Sequence, residues 1–152
     1  MTTDKLDMKV DFGEWIVVCD GRKALILENT GDKRRPNLKT KEVFEHADLS
    51  TRALGADAPG RTHESVGRRM SAVEQTDWHD EAERAFLVSL ANRLDTAIAT
   101  GETARLNIVA SPRALGMIRR SYSSAVRKAI KSELGKDLIK LPLDEIEKKL
   151  FE

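Results

Sequence analysis

The run Trp15–Cys19 constrains the fold of this chain more than any other feature. All five residues are apolar, and Gly13 and the pair Asp20-Gly21 bound the run, which is typical of a strand buried on both faces. After the Asp20-Gly21 turn signal, Lys23–Glu28 forms a second run, and the two runs predict an antiparallel hairpin. The first strand is therefore expected at the centre of a sheet.

Beyond the hairpin, extended and helical patterns alternate. Leu38–His46 predicts a third strand, and simple alternation places Leu38, Thr40, Glu42 and Phe44 on one of its faces. The later predicted elements are a helix from Thr76 or Asp77 to Gly101, a strand Ala104–Ala110, a short helix opened by Ser111-Pro112, a helix from Ser121 to Gly135, a strand Leu138–Leu141 and a terminal helix Pro142–Leu150. This order predicts an α/β fold with a mixed β-sheet, an antiparallel meander followed by parallel strands, flanked by helices.

Size and composition limit the class of protein. The 152 residues suit one domain, and 26 basic against 25 acidic side chains leave a net charge of +1, so polyanion binding would need local clustering. Cys19 is the one cysteine and has no partner for an internal disulfide. No apolar stretch approaches the ~20 residues of a membrane span, and the N-terminal residues lack a signal-peptide core. We therefore expect a cytoplasmic protein without a membrane span.

A long basic loop is predicted at about residues 47–76. Glycine and proline recur there among basic side chains, and large apolar residues are few. Loops of this length inside a compact domain are either functional or disordered insertions. The candidate phosphate-binding residues of this loop are Arg61, His63, Arg68 and Arg69.

A second basic stretch runs from Ser111 to Ser132 and contains no acidic residue. Its basic side chains are Arg113, Arg119, Arg120, Arg127, Lys128 and Lys131. On the predicted helix, Arg120, Arg127, Lys128 and Lys131 lie opposite the apolar stripe, so they could bind a polyanion together. Arginine favours this interpretation because guanidinium groups bind phosphate bidentately. The alternative is an ordinary solvated helix face.

Catalytic patterns are sparse in this sequence. His46, His63 and His79 are not at metal-ligand spacing, and neither a phosphate-binding glycine loop nor a Gly-x-Ser-x-Gly motif occurs. Asp20 could be one ligand of a magnesium site, although serving the turn with Gly21 is the simpler interpretation. Cys19 is expected to pack as a small apolar side chain. We predict no catalytic residues, no metal site and no cofactor.

Several short motifs, in order along the chain, resemble a bacterial family of host-attachment proteins, required for attachment to host cells. The motifs are Trp15-Ile16-Val17-Val18-Cys19-Asp20-Gly21, Gly60-Arg61, Gly67-Arg68-Arg69, Ala110-Ser111-Pro112 with Leu115-Gly116, Lys136-Asp137-Leu138 and Leu141-Pro142-Leu143-Asp144-Glu145-Ile146. That family is similar to the central domain of archaeal and eukaryotic peptide-chain release factors. The resemblance implies a ribonuclease-H-like fold, with residues 1–152 as a single α/β domain.

The resemblance also implies that the loop at 47–76 occupies the position at which release factors carry Gly-Gly-Gln, the motif for peptidyl-tRNA hydrolysis. Here Gly-Gly-Gln does not occur, and the loop has Pro59-Gly60-Arg61-Thr62-His63 instead. Our leading hypothesis is a non-enzymatic module that binds RNA or the ribosome. One alternative is a factor that supports host-cell attachment through surface polysaccharide or adhesin production. Another is a metal-dependent nuclease or hydrolase that uses Asp20.

Overall fold

The computed structural model describes residues 8–45 and 72–151, with side chains of the second range from residue 79 onwards. Its strands are β1 (Trp15–Cys19), β2 (Lys23–Asn29), β3 (Leu38–Glu45), β4 (Leu106–Ala110) and β5 (Ile130–Gly135). Its helices are α1 (Ala72–Thr100), α2 (Pro112–Arg119), α3 (Ser124–Ala129) and α4 (Leu143–Phe151).

The strands form one mixed sheet in the order β3-β2-β1-β4-β5. β1 pairs with β2 and β2 with β3 in antiparallel fashion, whereas β4 is parallel to both β1 and β5. All five residues of β1 and of β4 are buried, as the continuous apolar runs predicted. The predicted α/β class and mixed sheet are confirmed.

Helices cover both faces of the sheet, and each face has its own apolar cluster. On one face, α1, α2 and α3 pack on Trp15, Val17 and Ile108. On the other face, α4 packs with the segment around Val10 on Ile16 and Val18. Successive side chains of β1 point into alternate clusters. Because both faces of the strand are buried, every one of its residues is apolar.

Helix α1 has the predicted apolar stripe but begins earlier than expected. Its buried or half-buried stripe includes Leu87, Leu90 and Leu94, and Gly101 ends the helix with a φ of +82°. The predicted start at Thr76 or Asp77 is wrong, because the helix extends back to Ala72. Residues 72–76 contain neither glycine nor proline, so nothing in that stretch interrupts the helix.

The face assignment of β3 is also corrected. Ile26 pairs with Glu42 and Leu27 with Thr40, which leaves Lys41 as an extra residue in a β-bulge. The bulge reverses the alternation along the strand, so Leu38 joins the cluster under α4 and Phe44 packs on the opposite cluster. A one-residue irregularity moves every later side chain to the other face.

The predicted helix from Ser121 to Gly135 is wrong. Helix α3 ends at Ala129, and Ile130, with φ −71° and ψ 123°, already has an extended backbone. Residues 130–135 instead form β5 and hydrogen-bond to β4. Pairing with an otherwise open strand edge outweighs the helical pattern of this segment.

The predicted strand Leu138–Leu141 is also wrong. Leu138 and Ile139 are buried in the cluster under α4, and Leu141 donates a backbone hydrogen bond to the Leu138 carbonyl at 3.1 Å. The run is apolar because it forms a turn that packs on the second face of the sheet. The terminal helix α4 lies within one residue of its predicted bounds.

Candidate nucleic-acid interface

The structure separates the six basic residues of the stretch 111–132 into two groups. Arg113, Arg119 and Lys131 form ion pairs with carboxylates, whereas no ion pair to Arg120, Arg127 or Lys128 is found within the described residues. Since β5 replaces the predicted helix, the expected single basic helix face does not exist.

Arg113 is neutralised by the acidic side of α1. Ser111 caps α2, so Arg113 lies in the first turn of this helix and faces α1. Its guanidinium donates to the Asp80 carboxylate, and its Nη2 lies 3.3 Å from Glu83 Oε1. The hydrogen bond to Asp80 and the charge of Glu83 raise the pKa of Arg113. Arg113 therefore connects α2 to α1 and is a poor candidate for phosphate binding.

Arg119 is held by Glu133 of β5. Its Nε and Nη2 lie 2.9 Å and 2.8 Å from Glu133 Oε1, and the Tyr122 hydroxyl donates to the other carboxylate oxygen at 3.1 Å. Burial, followed by the negative charge of Glu133, raises the pKa of Tyr122. These side chains, with Arg127 and Ile130, line a small cavity of about 210 Å³. The first carboxylate after the basic stretch therefore cancels one of its charges.

Lys131 belongs to a largely buried polar network at the start of the parallel strands. Its Nζ lies 3.0 Å from Oε2 of Glu14, whose side chain is only 8% exposed. The Asn107 amide donates to the same carboxylate at 3.2 Å, and Ser132 donates to Asn107 Oδ1 at 2.8 Å. Sequence reasoning missed this role of Lys131, because Glu14 is distant along the chain.

Arg120, Arg127 and Lys128 remain exposed, and we call these three residues the basic corner. Arg120 follows the last residue of α2, and Arg127 Nη2 lies 3.5 Å from the Arg119 carbonyl oxygen. The carboxyl end of a helix favours cations through its exposed carbonyl groups, which explains why the Arg127 guanidinium contacts the end of α2. The basic corner is the part of the predicted interface that stays available for a phosphate group.

The predicted loop residues Arg61, His63, Arg68 and Arg69 lie outside the described residues, as do most of the predicted loop 47–76 and His46. Their proposed part in binding stays a prediction. Glu45 is the last described residue before this segment. Glu45 is paired with Lys23, and Glu83, farther along α1, approaches Gly21.

Asp20 serves the turn between β1 and β2. Its Oδ1 accepts backbone N–H groups of Arg22 at 2.8 Å and Lys23 at 2.9 Å. Among the described residues, no three His, Cys, Asp or Glu side chains lie close enough together to hold a metal ion. Cys19 is fully buried in the core as predicted, and burial raises the pKa of its thiol to about 12. His79 is exposed on α1.

The mixed sheet and the covering helices define an α/β fold, which carries the basic corner at its surface. Comparison with known proteins shows the family to which the chain belongs. The chain belongs to bacterial archaeo-eukaryotic release factor family 12, whose sequence profile matches residues 14–150. The resemblance to release factors expected from the sequence motifs is thereby confirmed. No helix among the described residues is long and apolar enough to cross a membrane.

A relative of this chain occurs in Rickettsia prowazekii (strain Madrid E). The two proteins are 30% identical over 139 residues, which covers 90% of this chain and 91% of the relative. The relative is described as an uncharacterized protein. The similarity therefore extends over nearly the whole of both chains.

Proposed function

We propose that this protein is a non-enzymatic RNA- or ribosome-binding domain that contacts phosphate groups through the basic corner. The observation that carries the proposal is the exposure of Arg120, Arg127 and Lys128, which form no ion pair within the described residues, in a chain of the release-factor family. The loop residues Arg61, His63, Arg68 and Arg69 are proposed as further contacts. The absence of Gly-Gly-Gln from the sequence argues for binding without peptide release.

The fold assignment that accompanies this proposal is ribonuclease-H-like. The strand order β3-β2-β1-β4-β5, with β2 antiparallel to both of its neighbours and β4 parallel to β1 and β5, supports the assignment. In such a sheet the antiparallel hairpin and the parallel strands form opposite halves. The basic corner belongs to the parallel half, because α3 leads directly into β5.

Binding can be tested by gel shift with RNA and by co-sedimentation with ribosomes at low and moderate salt. We expect the triple variant R120A/R127A/K128A to bind about tenfold or more weakly, with a salt dependence flatter by about two to three units in log K against log salt. The slope becomes flatter because a protein that makes fewer phosphate contacts releases fewer counterions when it binds.

The chain offers a matched control, R34A/R35A/K39A, which removes the same residue types. These three exposed residues lie in or after the β2–β3 connection. Three strand spacings, about 14 Å, separate β2 from β5, so the control residues lie on the opposite half of the sheet from the basic corner. The control should bind like the wild type. Failure of the wild type to bind RNA or ribosomes, or equal loss in both variants, would refute the proposal.

The role in host attachment stays a prediction from the sequence resemblance. Fractionation of the bacterium tests it together with the predicted cytoplasmic location, since a surface-exposed chain would favour an adhesin. The nuclease alternative gains nothing from Asp20, whose carboxylate already accepts two backbone N–H groups of its own turn.

A further inference from the structure

A groove of about 560 Å³ lies next to the end of β1, at the edge of the sheet where β1, β4 and β5 end. Two segments form it, the β1–β2 turn with the start of β2 and the connection between β5 and α4. Its volume is in the range of small-molecule sites, about 300–1,000 Å³. In open sheets with parallel strands, ligands bind outside the carboxyl ends of the strands, which is the position of this groove.

The walls of the groove combine an apolar surface with a basic rim. The apolar part is formed by Leu25, Ile139, Leu141 and Pro142. The charged lining residues are Arg22, Lys23, Lys140 and Asp20. Three cations against one carboxylate leave an excess of positive charge where a ligand would enter.

The cations of the rim are available to a ligand. Arg22 and Lys140 are exposed, and no ion pair to either is found within the described residues. Lys23 lies 3.9 Å from Glu45, and both side chains are nearly half exposed, so this contact is weak. Asp20, the one acidic lining residue, directs one carboxylate oxygen to two backbone N–H groups. The rim therefore suits an anionic group.

We propose that this groove binds a small organic phosphate. The phosphate group contacts Arg22 and Lys140, because guanidinium and ammonium groups both bind phosphate oxygens. The apolar part of the ligand lies against Leu25, Ile139 and Leu141. An anion without an apolar part, or an apolar molecule without a charge, would use only half of the groove.

This site is separate from the basic corner. Helix α3 leads into Ile130, which pairs with Leu106 at the beginning of β4, whereas the groove adjoins the end of β1. A strand of five residues is about 16 Å long, so the two sites lie near opposite ends of the parallel strands. The groove proposal therefore does not depend on RNA binding, and either proposal can fail alone.

The test is a titration of the ¹⁵N-labelled chain with phenyl phosphate, in which the NMR chemical shifts of the backbone amides report binding. Phenol and inorganic phosphate serve as probes of the two halves of the ligand. We expect amide shifts concentrated in residues 20–25 and 139–141, since Pro142 has no amide proton, with a dissociation constant on the order of 1 mM or tighter. Phenyl phosphate should bind more tightly than either half.

The variant R22A/K140A should weaken phenyl phosphate binding about tenfold, since it removes two charged donors. The matched control R34A/K39A removes one arginine and one lysine elsewhere and should leave binding unchanged. The amide spectra show whether each variant is folded. Absence of shifts, shifts centred on the basic corner, equal affinity for phenol, or equal weakening in the control would each overturn the proposal.

Discussion

At the scale of single residues, Asn29 has the most connected side chain at the end of the β1–β2 hairpin. It is fully buried, and its amide donates to the Val10 carbonyl at 2.8 Å. Its carbonyl oxygen accepts the backbone N–H groups of Gly31 and Asn37, each at 2.9 Å. One side chain thus holds the N-terminal segment and the β2–β3 connection together.

Replacement of Asn29 by alanine should lower the free energy of unfolding by about 2–3 kcal/mol, because buried backbone groups lose their hydrogen-bond partners. Urea denaturation measures the change. Asn37→Ala is the control, since the exposed Asn37 contributes through its backbone, which the substitution retains. A loss below about 0.5 kcal/mol for Asn29→Ala, as for an ordinary surface substitution, would contradict this role.

At the scale of secondary-structure elements, β5 is the least secured strand of the parallel half. It is an edge strand that pairs only with β4 in the described sheet, and its register shifts between Leu106 and Asn107. Lys131 connects it to the residue before β1 through the ion pair with the buried Glu14. The ion pair therefore helps to fix a segment whose sequence also suits a helix.

Lys131→Met should lower the free energy of unfolding by about 2–3 kcal/mol, because it leaves the Glu14 carboxylate buried without a cation. Urea denaturation gives the size of the loss, and hydrogen exchange should be faster in the β5 amides. Glu14→Gln combined with Lys131→Met should recover part of it, since no unpaired charge then remains.

Lys136→Met is the matched control for this prediction, because Lys136 is exposed directly after β5. It should change stability by less than about 0.5 kcal/mol. Equal losses for Lys131→Met and Lys136→Met would show that the pair with Glu14 contributes nothing to stability.

At the scale of the whole molecule, two apolar clusters on opposite faces of one sheet hold the described residues together. Two titratable groups in the cluster under α1, α2 and α3 make the stability of the fold depend on pH in the alkaline range. Burial raises the pKa of the Cys19 thiol from 9.0 to about 12 and also raises the pKa of the Tyr122 hydroxyl. Both groups are therefore protonated in the folded chain at pH values where the unfolded chain has begun to release protons.

The stability contributed by the neutral Cys19 thiol is fully present below pH 9.0 and is lost as the pH rises towards about 12. The free energy of unfolding should fall by up to about 1.4 kcal/mol per pH unit for each such group. Urea denaturation at a series of alkaline pH values measures this slope. Cys19→Ala removes one of the groups and should give a shallower slope; an unchanged slope would contradict the assignment.

The sequence by itself determined β1, β2, β4, α2 and α4, together with the apolar stripe of α1. Each of these is specified by a pattern of neighbouring residues, such as the continuous run of Trp15–Cys19 or the cap and proline of Ser111-Pro112. It also indicated the release-factor family and the burial of Cys19. Local patterns suffice for these features because the interactions that decide them lie within a few residues along the chain.

Only the tertiary structure decided β5, the turn at Leu138–Leu141, the bulge at Lys41 and the pairing of the basic residues. Residues 130–135 form a strand because β4 offers an open edge, and no local pattern records that edge. Likewise, Lys131 meets Glu14 and Arg113 meets α1 only after the chain has folded. The net charge of a chain follows from its composition alone. The local charge at its surface depends on which charged partners the fold brings within a few ångströms of each other.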